Sequence, residues 1–265
     1  MKKAVRIMVA VMVSLFGTIS LTRAASVGLN SEKKGLSTSV EYTHVFDQEL
    51  DKDAGSVDSE IDKIDAVLAK LNYAFNEYVS LYTKLGSADI DVNLAFVKGA
   101  DRANYQLEHD FGFAWGGGIQ ASLPLGDSEW RSIFDLQYLR WDSEVNSVKV
   151  NNISASAVSS TDAEVTDLSL SALLAKKWTL SNGGVLTPYA GVKLSHVVVD
   201  YGTLSHAGIT VGSTTFSGFS GDISSENKVG AVMGTEYQLN DRWSLAVEGR
   251  LVDETAITGS AKYRF

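Results

Sequence analysis

An all-β fold, a transmembrane antiparallel up-and-down β-barrel, is what this 265-residue sequence predicts, and three observations predict it. The first is the end of the chain. In residues 256–265, Ile257, Gly259, Ala261, Tyr263 and Phe265 fall on one face and Thr258, Ser260, Lys262 and Arg264 on the other, a strand with one apolar and one charged side. The second is that such alternation recurs along a chain with 23 glycines and 2 prolines, with no apolar run after residue 24 long enough for a membrane helix. The third is an export signal: Lys2, Lys3 and Arg6 precede an apolar run from Ile7 to Ile19, and Thr22-Arg-Ala24 supplies a small-residue cleavage pattern. Residues 1–24 read as a cleaved signal peptide and 25–265 as the barrel domain.

Composition narrows the partners. Loss of the signal peptide removes Lys2, Lys3, Arg6 and Arg23 from the 23 basic residues and none of the 32 acidic ones, leaving 19 against 32 and a net charge of −13. So acidic a chain excludes nucleic acid, because phosphate binding needs a basic surface. With no cysteine there is no disulfide framework and no lipoprotein processing.

Period-two segments between turn signals place ten strands near 35–46, 64–75, 78–90, 107–123, 130–142, 164–177, 185–201, 227–239, 242–252 and 256–265. Asn76-Glu77, Pro124–Glu129, Ser181–Gly184 and Asn240-Asp241 are tight connections, while 47–63, 91–106, 143–163 and 202–226 are long. Short periplasmic turns alternating with long external loops is the expected barrel pattern, and an even strand number returns both ends to one side. Among the outer connections only Val252–Thr255 is short.

Each segment adds its own argument. Residues 61–85 also carry a helical stripe, Ile61, Ile64, Leu68, Leu71, Phe75, Tyr78, Tyr82 and Leu85, so eight strands plus a loop helix is the alternative. Two strands are favoured by the turn Tyr73-Ala-Phe-Asn-Glu-Tyr78 and by Val79, Leu81, Thr83 and Leu85 alternating with Ser80, Tyr82 and Lys84. In 111–123, Phe111, Phe113, Trp115, Ile119 and Leu123 share the face expected to meet lipid, and Gly112, Ala114, Gln120 and Ser122 the face expected to meet the lumen. The run Gly116-Gly-Gly118 there relieves crowding or permits curvature, and without a following Lys-Ser/Thr it is no phosphate loop. In 243–251, Trp243, Leu245, Val247 and Leu251 oppose Ser244, Ala246, Glu248 and Arg250. Tyr78, Trp130, Trp178, Trp243 and Phe265 mark the turn ends as one aromatic girdle, and Tyr42, Phe46, Phe111, Tyr138, Trp141 and Tyr201 mark a second; a soluble barrel has no use for two.

The chain resembles small bacterial outer-membrane β-barrel proteins, the porin-family or opacity-like group with OmpA-like transmembrane domains. The signal peptide, Leu71–Gly86, Leu186-Thr-Pro-Tyr-Ala-Gly-Val-Lys193 and Val247–Phe265 carry the resemblance. It implies location in the cell outer membrane amid lipid and lipopolysaccharide. Tyr263 and Phe265 match that group's C-terminal assembly signal, which implies the outer-membrane assembly machinery as a partner. Members serve as adhesins, envelope-stabilising proteins and narrow pores.

The expected lumen holds Glu41, Lys70, Lys84, Asp135, Lys193, Glu236, Glu248, Arg250, Lys262 and Arg264, six basic and four acidic residues. Near-balance in a small barrel predicts an ion-paired, plugged core. A narrow pore lined by Lys193, Arg250, Lys262 and Arg264 is the alternative. Loop 47–63, with Asp47, Glu49, Asp51, Asp53, Asp58, Glu60 and Asp62 against Lys52 and Lys63, reads as a mobile, solvated loop; its spacing lacks the glycine that an EF-hand-type calcium loop requires at its sixth position, so no metal is expected. His44, His109, His196 and His206 fall toward the outer side, with Asp110 and Asp200 nearby in sequence, and admit a rim protease or lipid deacylase as a further alternative, although no local motif of either is visible. Loop 202–226, with Phe216 and Phe219, reads as an adhesive tip for a surface ligand or as a spacer. The expected function is non-enzymatic and cofactor-free: an envelope structural or surface-interaction role.

Overall fold

The computed structural model describes residues 34–51, 56–126, 128–160, 162–181, 183–226 and 228–265, and residues 1–24, expected to be a signal peptide, lie outside them. The described residues form no helix. The strands are β1 (Gly35–Glu49), β2 (Ser56–Ala74), β3 (Val79–Lys98), β4 (Asp101–His109), β5 (Gly112–Pro124), β6 (Trp130–Ser143), β7 (Val145–Val150), β8 (Ile153–Ser154), β9 (Ser159–Ser160), β10 (Ala163–Lys176), β11 (Trp178–Thr179), β12 (Val185–Val211), β13 (Thr214–Ser224), β14 (Val229–Gln238), β15 (Trp243–Leu251) and β16 (Thr255–Arg264). β2, β1, β16, β15, β14, β12, β10, β6, β5 and β3 lie side by side in that order, and β3 pairs back onto β2. Every pairing is antiparallel, so ten strands close a ring with no edge, as a bilayer demands. The stripe at 61–85 is therefore strand, and the helical alternative is set aside: Ile64–Ala74 pair in register with Ser80–Ile90.

Two turns show how the sequence forms these hairpins. Asn76 Oδ1 accepts from the backbone N–H of Tyr78 (2.8 Å) and Val79 (2.9 Å). Asn240 Oδ1 does the same for Arg242 and Trp243, both at 2.9 Å. A short amide that mimics a backbone acceptor is why Asn begins both turns.

The strands continue well past the membrane barrel, and four expected loops are corrected to strand. β2 covers 56–63 of the acidic segment expected to be mobile, with residues 52–55 outside the description. The single strand expected at 107–123 is two: β4 ends at His109 and β5 begins at Gly112. β3 pairs with β5 along Val79–Ala88 and with β4 along Asp91–Lys98, so β4 takes the place of β5 higher up, and β7 stands beside β4 as β6 stands beside β5. The upper part of β12 pairs with β9 and β13.

The reason is a switch in the phase of alternation. In the lower part of β3, Leu81 and Leu85 face out and Tyr82 and Lys84 face in; above Gly86 the inward residues become Ala88, Ile90, Val92 and Leu94, all buried. In β12, Lys193 and Ser195 face in and Val192 faces out, but further up Val197, Val199 and Tyr201 face in. Outward apolar residues suit lipid, and inward ones suit a segment surrounded by water. The molecule thus has two storeys: a membrane barrel with a polar interior, and an outer cap with an apolar core that includes Leu50, Ile90, Leu107, Val148, Val199, Leu204 and Ile223.

The β15–β16 hairpin stops where the cap starts. Above it β1 meets the return strand directly, through the Leu50–Ser225 bridge, Asp51 N–H to Ser224 O (2.6 Å) and Glu226 N–H to Glu49 O (3.2 Å).

Candidate functional site

Inward-facing positions of the membrane storey carry side chains that cross the lumen and pair there. Toward the turn end, Lys262 Nζ lies 2.8 Å from Glu236 Oε1. In the middle, Lys84 Nζ is 2.7 Å and Lys70 Nζ 3.8 Å from the two oxygens of Glu41. The Tyr82 hydroxyl donates to Asp135 Oδ1 at 2.7 Å and Gln120 Nε2 donates to Oδ2 at 2.9 Å, while Lys70 Nζ stands 4.0 Å over the Tyr82 ring. On the far wall the Tyr189 hydroxyl donates to Glu248 Oε2 at 3.0 Å, and Arg250 Nη1 lies 3.5 Å from Glu248 Oε1. Toward the cap, Arg250 Nε donates to Glu254 Oε1 at 2.7 Å, Arg250 Nη1 donates to Thr258 Oγ1 at 2.8 Å, and Lys193 pairs with Glu254 and lies 3.5 Å from Asp253 Oδ2.

Two tyrosines reach their carboxylates because glycine faces them across the strand. Tyr82 is in register with Gly118 and Tyr189 with Gly234, and a Cβ on either glycine would run into the tyrosine ring. Burying charges is costly, and removing one partner of such a pair leaves an uncompensated charge worth about 3–5 kcal/mol. The network therefore stands as a unit, and it fills the lumen with matched groups.

Nine of the ten lumen charges expected from sequence lie in this interior. The tenth, Arg264, stands at the turn-end rim, half-buried, with Nη1 3.3 Å from the Asp241 carbonyl oxygen. Tyr263 lies edge-on to Trp243 (5.0 Å) and Phe265 (5.2 Å), and the Phe265 N–H donates to Leu36 O at 3.1 Å, joining the last residue to β1. Asp253 and Glu254 were missed: they sit in the one short outer connection, whose residues have no strand parity to read.

The cap departs further from expectation. Phe216 is buried and Phe219 packs against Phe96, Tyr105 and Tyr201, so the two phenylalanines of 202–226 belong to the cap interior. Trp141 and Tyr201, assigned to the outer girdle, are buried inside; Trp141 shares its face with Asp135 and Gln137, and Tyr201 with Lys193 and Ser195. Tyr42, Phe46 and Phe111 are exposed, as a girdle requires.

His44, His109 and His206 do not converge. His44 Nδ1 lies 2.7 Å from Asp65 Oδ1 on the outward face, where the Tyr42 hydroxyl also donates to Asp65. His206 Nε2 is 3.2 Å from the Tyr105 hydroxyl inside the cap. His109 is buried in the cap with its ring 5.7 Å from that of Tyr201, and burial pushes its imidazole down to about 4, against a smaller opposing effect of the Ile90 backbone. The nearby carboxylates have other partners: Asp110 accepts from Asn146 and Asp200 from the Gly202 N–H. Among the described residues no group of three or more His, Cys, Asp or Glu is placed to hold a metal ion.

A family model described as the autotransporter β-domain matches residues 35–250. The fold is similar to the β domain of the Bordetella autotransporter BrkA (TM-score 0.45, 11% identity, 88% of this chain and 100% of that one). It is also similar to the transport unit of AIDA-I from Escherichia coli (0.43, 12%, 97% and 96%) and to the translocator domain of NalP from Neisseria meningitidis (0.41, 11%, 99% and 98%). No curated protein sequence matches the chain.

Proposed function

The chain belongs to the autotransporter β-domain family and lies in the outer membrane, and from that membership we propose that it is a closed, membrane-anchored platform that presents an ordered β-cap at the cell surface. Its role is structural or surface-interacting and non-enzymatic, with outer-membrane lipid and lipopolysaccharide around its girdles and a surface ligand, where there is one, meeting the cap. The observation that supports this reading is the doubly filled interior. Ion pairs from Glu41, Lys84, Glu248, Arg250, Lys193 and Glu254 cross the membrane storey, and an apolar core closes the storey above. Passing a polypeptide or a hydrated solute through this conformation requires breaking both.

The rival is a narrow passive pore. Refolded, heat-modifiable protein in a planar bilayer is expected to be silent. Reproducible conductance steps that change in Arg250→Ala would overturn the closed-platform reading in favour of the pore.

A further inference from the structure

The turn 252–254, beneath the Leu50–Ser225 junction, is built to send two carboxylates inward. Val252 is β-branched yet takes φ of +86°, and it is 72% exposed. Such a backbone is strained and persists only where its surroundings hold it. The next two residues are what it delivers: Asp253 and Glu254 are 1% and 7% exposed. Gly230 on β14 provides the clearance, since a Cβ there would run into the Asp253 carboxylate.

The groups that receive the turn form a carboxylate site in their own right. Arg250 offers Nε to Glu254, Lys193 pairs with the same carboxylate, and Ser195 Oγ donates to Asp253 Oδ2 at 2.5 Å. The guanidinium and the ammonium meet on Glu254 and the hydroxyl holds the neighbouring Asp253, buried donors of the kind that charge-assisted recognition of carboxylates uses.

A second observation lies next to it. A cavity of about 60 Å³ is lined by Lys193, Arg250 and Glu254 together with Val45, Ile64 and Leu139. Gln48, 1% exposed, and Trp141 also line it, and among the described residues neither atom of the Gln48 amide nor the indole nitrogen of Trp141 has a hydrogen-bond partner. Leaving a buried polar group unmet is costly, and an occupant with polar atoms offsets that cost. At roughly 30 Å³ per water the chamber holds about two waters, and it admits a larger guest only together with the space that Glu254 occupies.

We propose that Lys193, Ser195 and Arg250 form an interior carboxylate-binding site, occupied in this conformation by the chain's own Glu254 and Asp253, that takes a small free monocarboxylate from the adjoining chamber when the turn is displaced. The site does not depend on whether the lumen conducts, so its failure is separable from that of the closed-platform reading.

The test is rescue by acetate. Glu254→Ala removes the internal ligand and opens its volume, whereas Glu254→Gln removes the charge and leaves the volume filled. Each protein is refolded in detergent, and its thermal unfolding midpoint is followed by the heat-modifiability shift in sodium acetate and in sodium chloride at equal ionic strength and pH. The expected result is a saturable rise of the Glu254→Ala midpoint in acetate with at least tenfold preference over chloride, and no such rise in wild type or Glu254→Gln. An acetate effect equal to that of chloride, or equal in all three proteins, overturns the proposal. If Glu254→Ala does not fold in chloride, recovery of heat-modifiable barrel in acetate supports the site and absence of recovery overturns it.

Discussion

At Gly118 a single missing methyl decides whether the lumen network closes. The residue faces Tyr82 across two paired strands, and a Cβ there would occupy the space of the phenol that serves Asp135. Gly118→Ala is expected to destabilise the barrel by about 1–3 kcal/mol through overpacking and a displaced hydrogen bond. The denaturant midpoint of the refolded protein checks this, and an unchanged midpoint would show that the lumen relaxes around the methyl. At this scale the sequence was legible where parity governs: nine lumen charges were named because each alternates with outward Leu, Val or aromatic residues. It was illegible where parity is undefined, as at Asp253 and Glu254 in a turn. It misled at Trp141 and Tyr201, which were assigned by position near strand ends and not by the face they share with Gln137 or Ser195.

Along a strand, the informative event is the reversal of the apolar face. Leu85 lies below the reversal in β3 and faces out among other exposed apolar residues, while Asn93 lies above it on the same face, where its Nδ2 donates to Glu60. Arg in place of Leu85 is expected to cost about 2–4 kcal/mol in a lipid bilayer, the usual penalty for a charge on the lipid face near mid-depth. Arg in place of Asn93 is expected to stay within about 0.5 kcal/mol, as for an exposed surface site. Unfolding both variants in lipid vesicles checks the pair, and equal costs would mean that the membrane extends past Gly86. The same reversal explains why the lower strands were readable and their continuations were not. Above it, Asp91 and Asn93 lie on the outer side while Ile90, Val92 and Leu94 face in, so the expected pattern of apolar residues outside is lost and the stretch reads as a loop.

For the whole molecule, the two interiors respond differently to acid. His109 sits in the cap with an imidazole lowered from 6.5 to about 4, so between those values the unfolded chain holds a proton that the folded cap does not. Stability from this group is therefore complete above about pH 6.5 and falls as the pH drops toward 4, by up to about 3 kcal/mol at 1.4 kcal/mol per unit. The unfolding midpoint of wild type is expected to decline over that window, and His109→Phe to remove most of that decline; parallel curves would refute the assignment. The ring of ten strands was legible from turn spacing and strand count, but a closed cap was not, because its junction joins segments far apart in sequence, Glu49–Asp51 and Ser224–Glu226. That junction gives the first strand two different neighbours, β16 below and the return segment above. In a closed barrel the first and last strands meet along one seam of hydrogen bonds. Here the same strand is clasped again one level higher, so peeling it away must undo both contacts at once, and the barrel resists opening there as a kinetic barrier independent of its net stability.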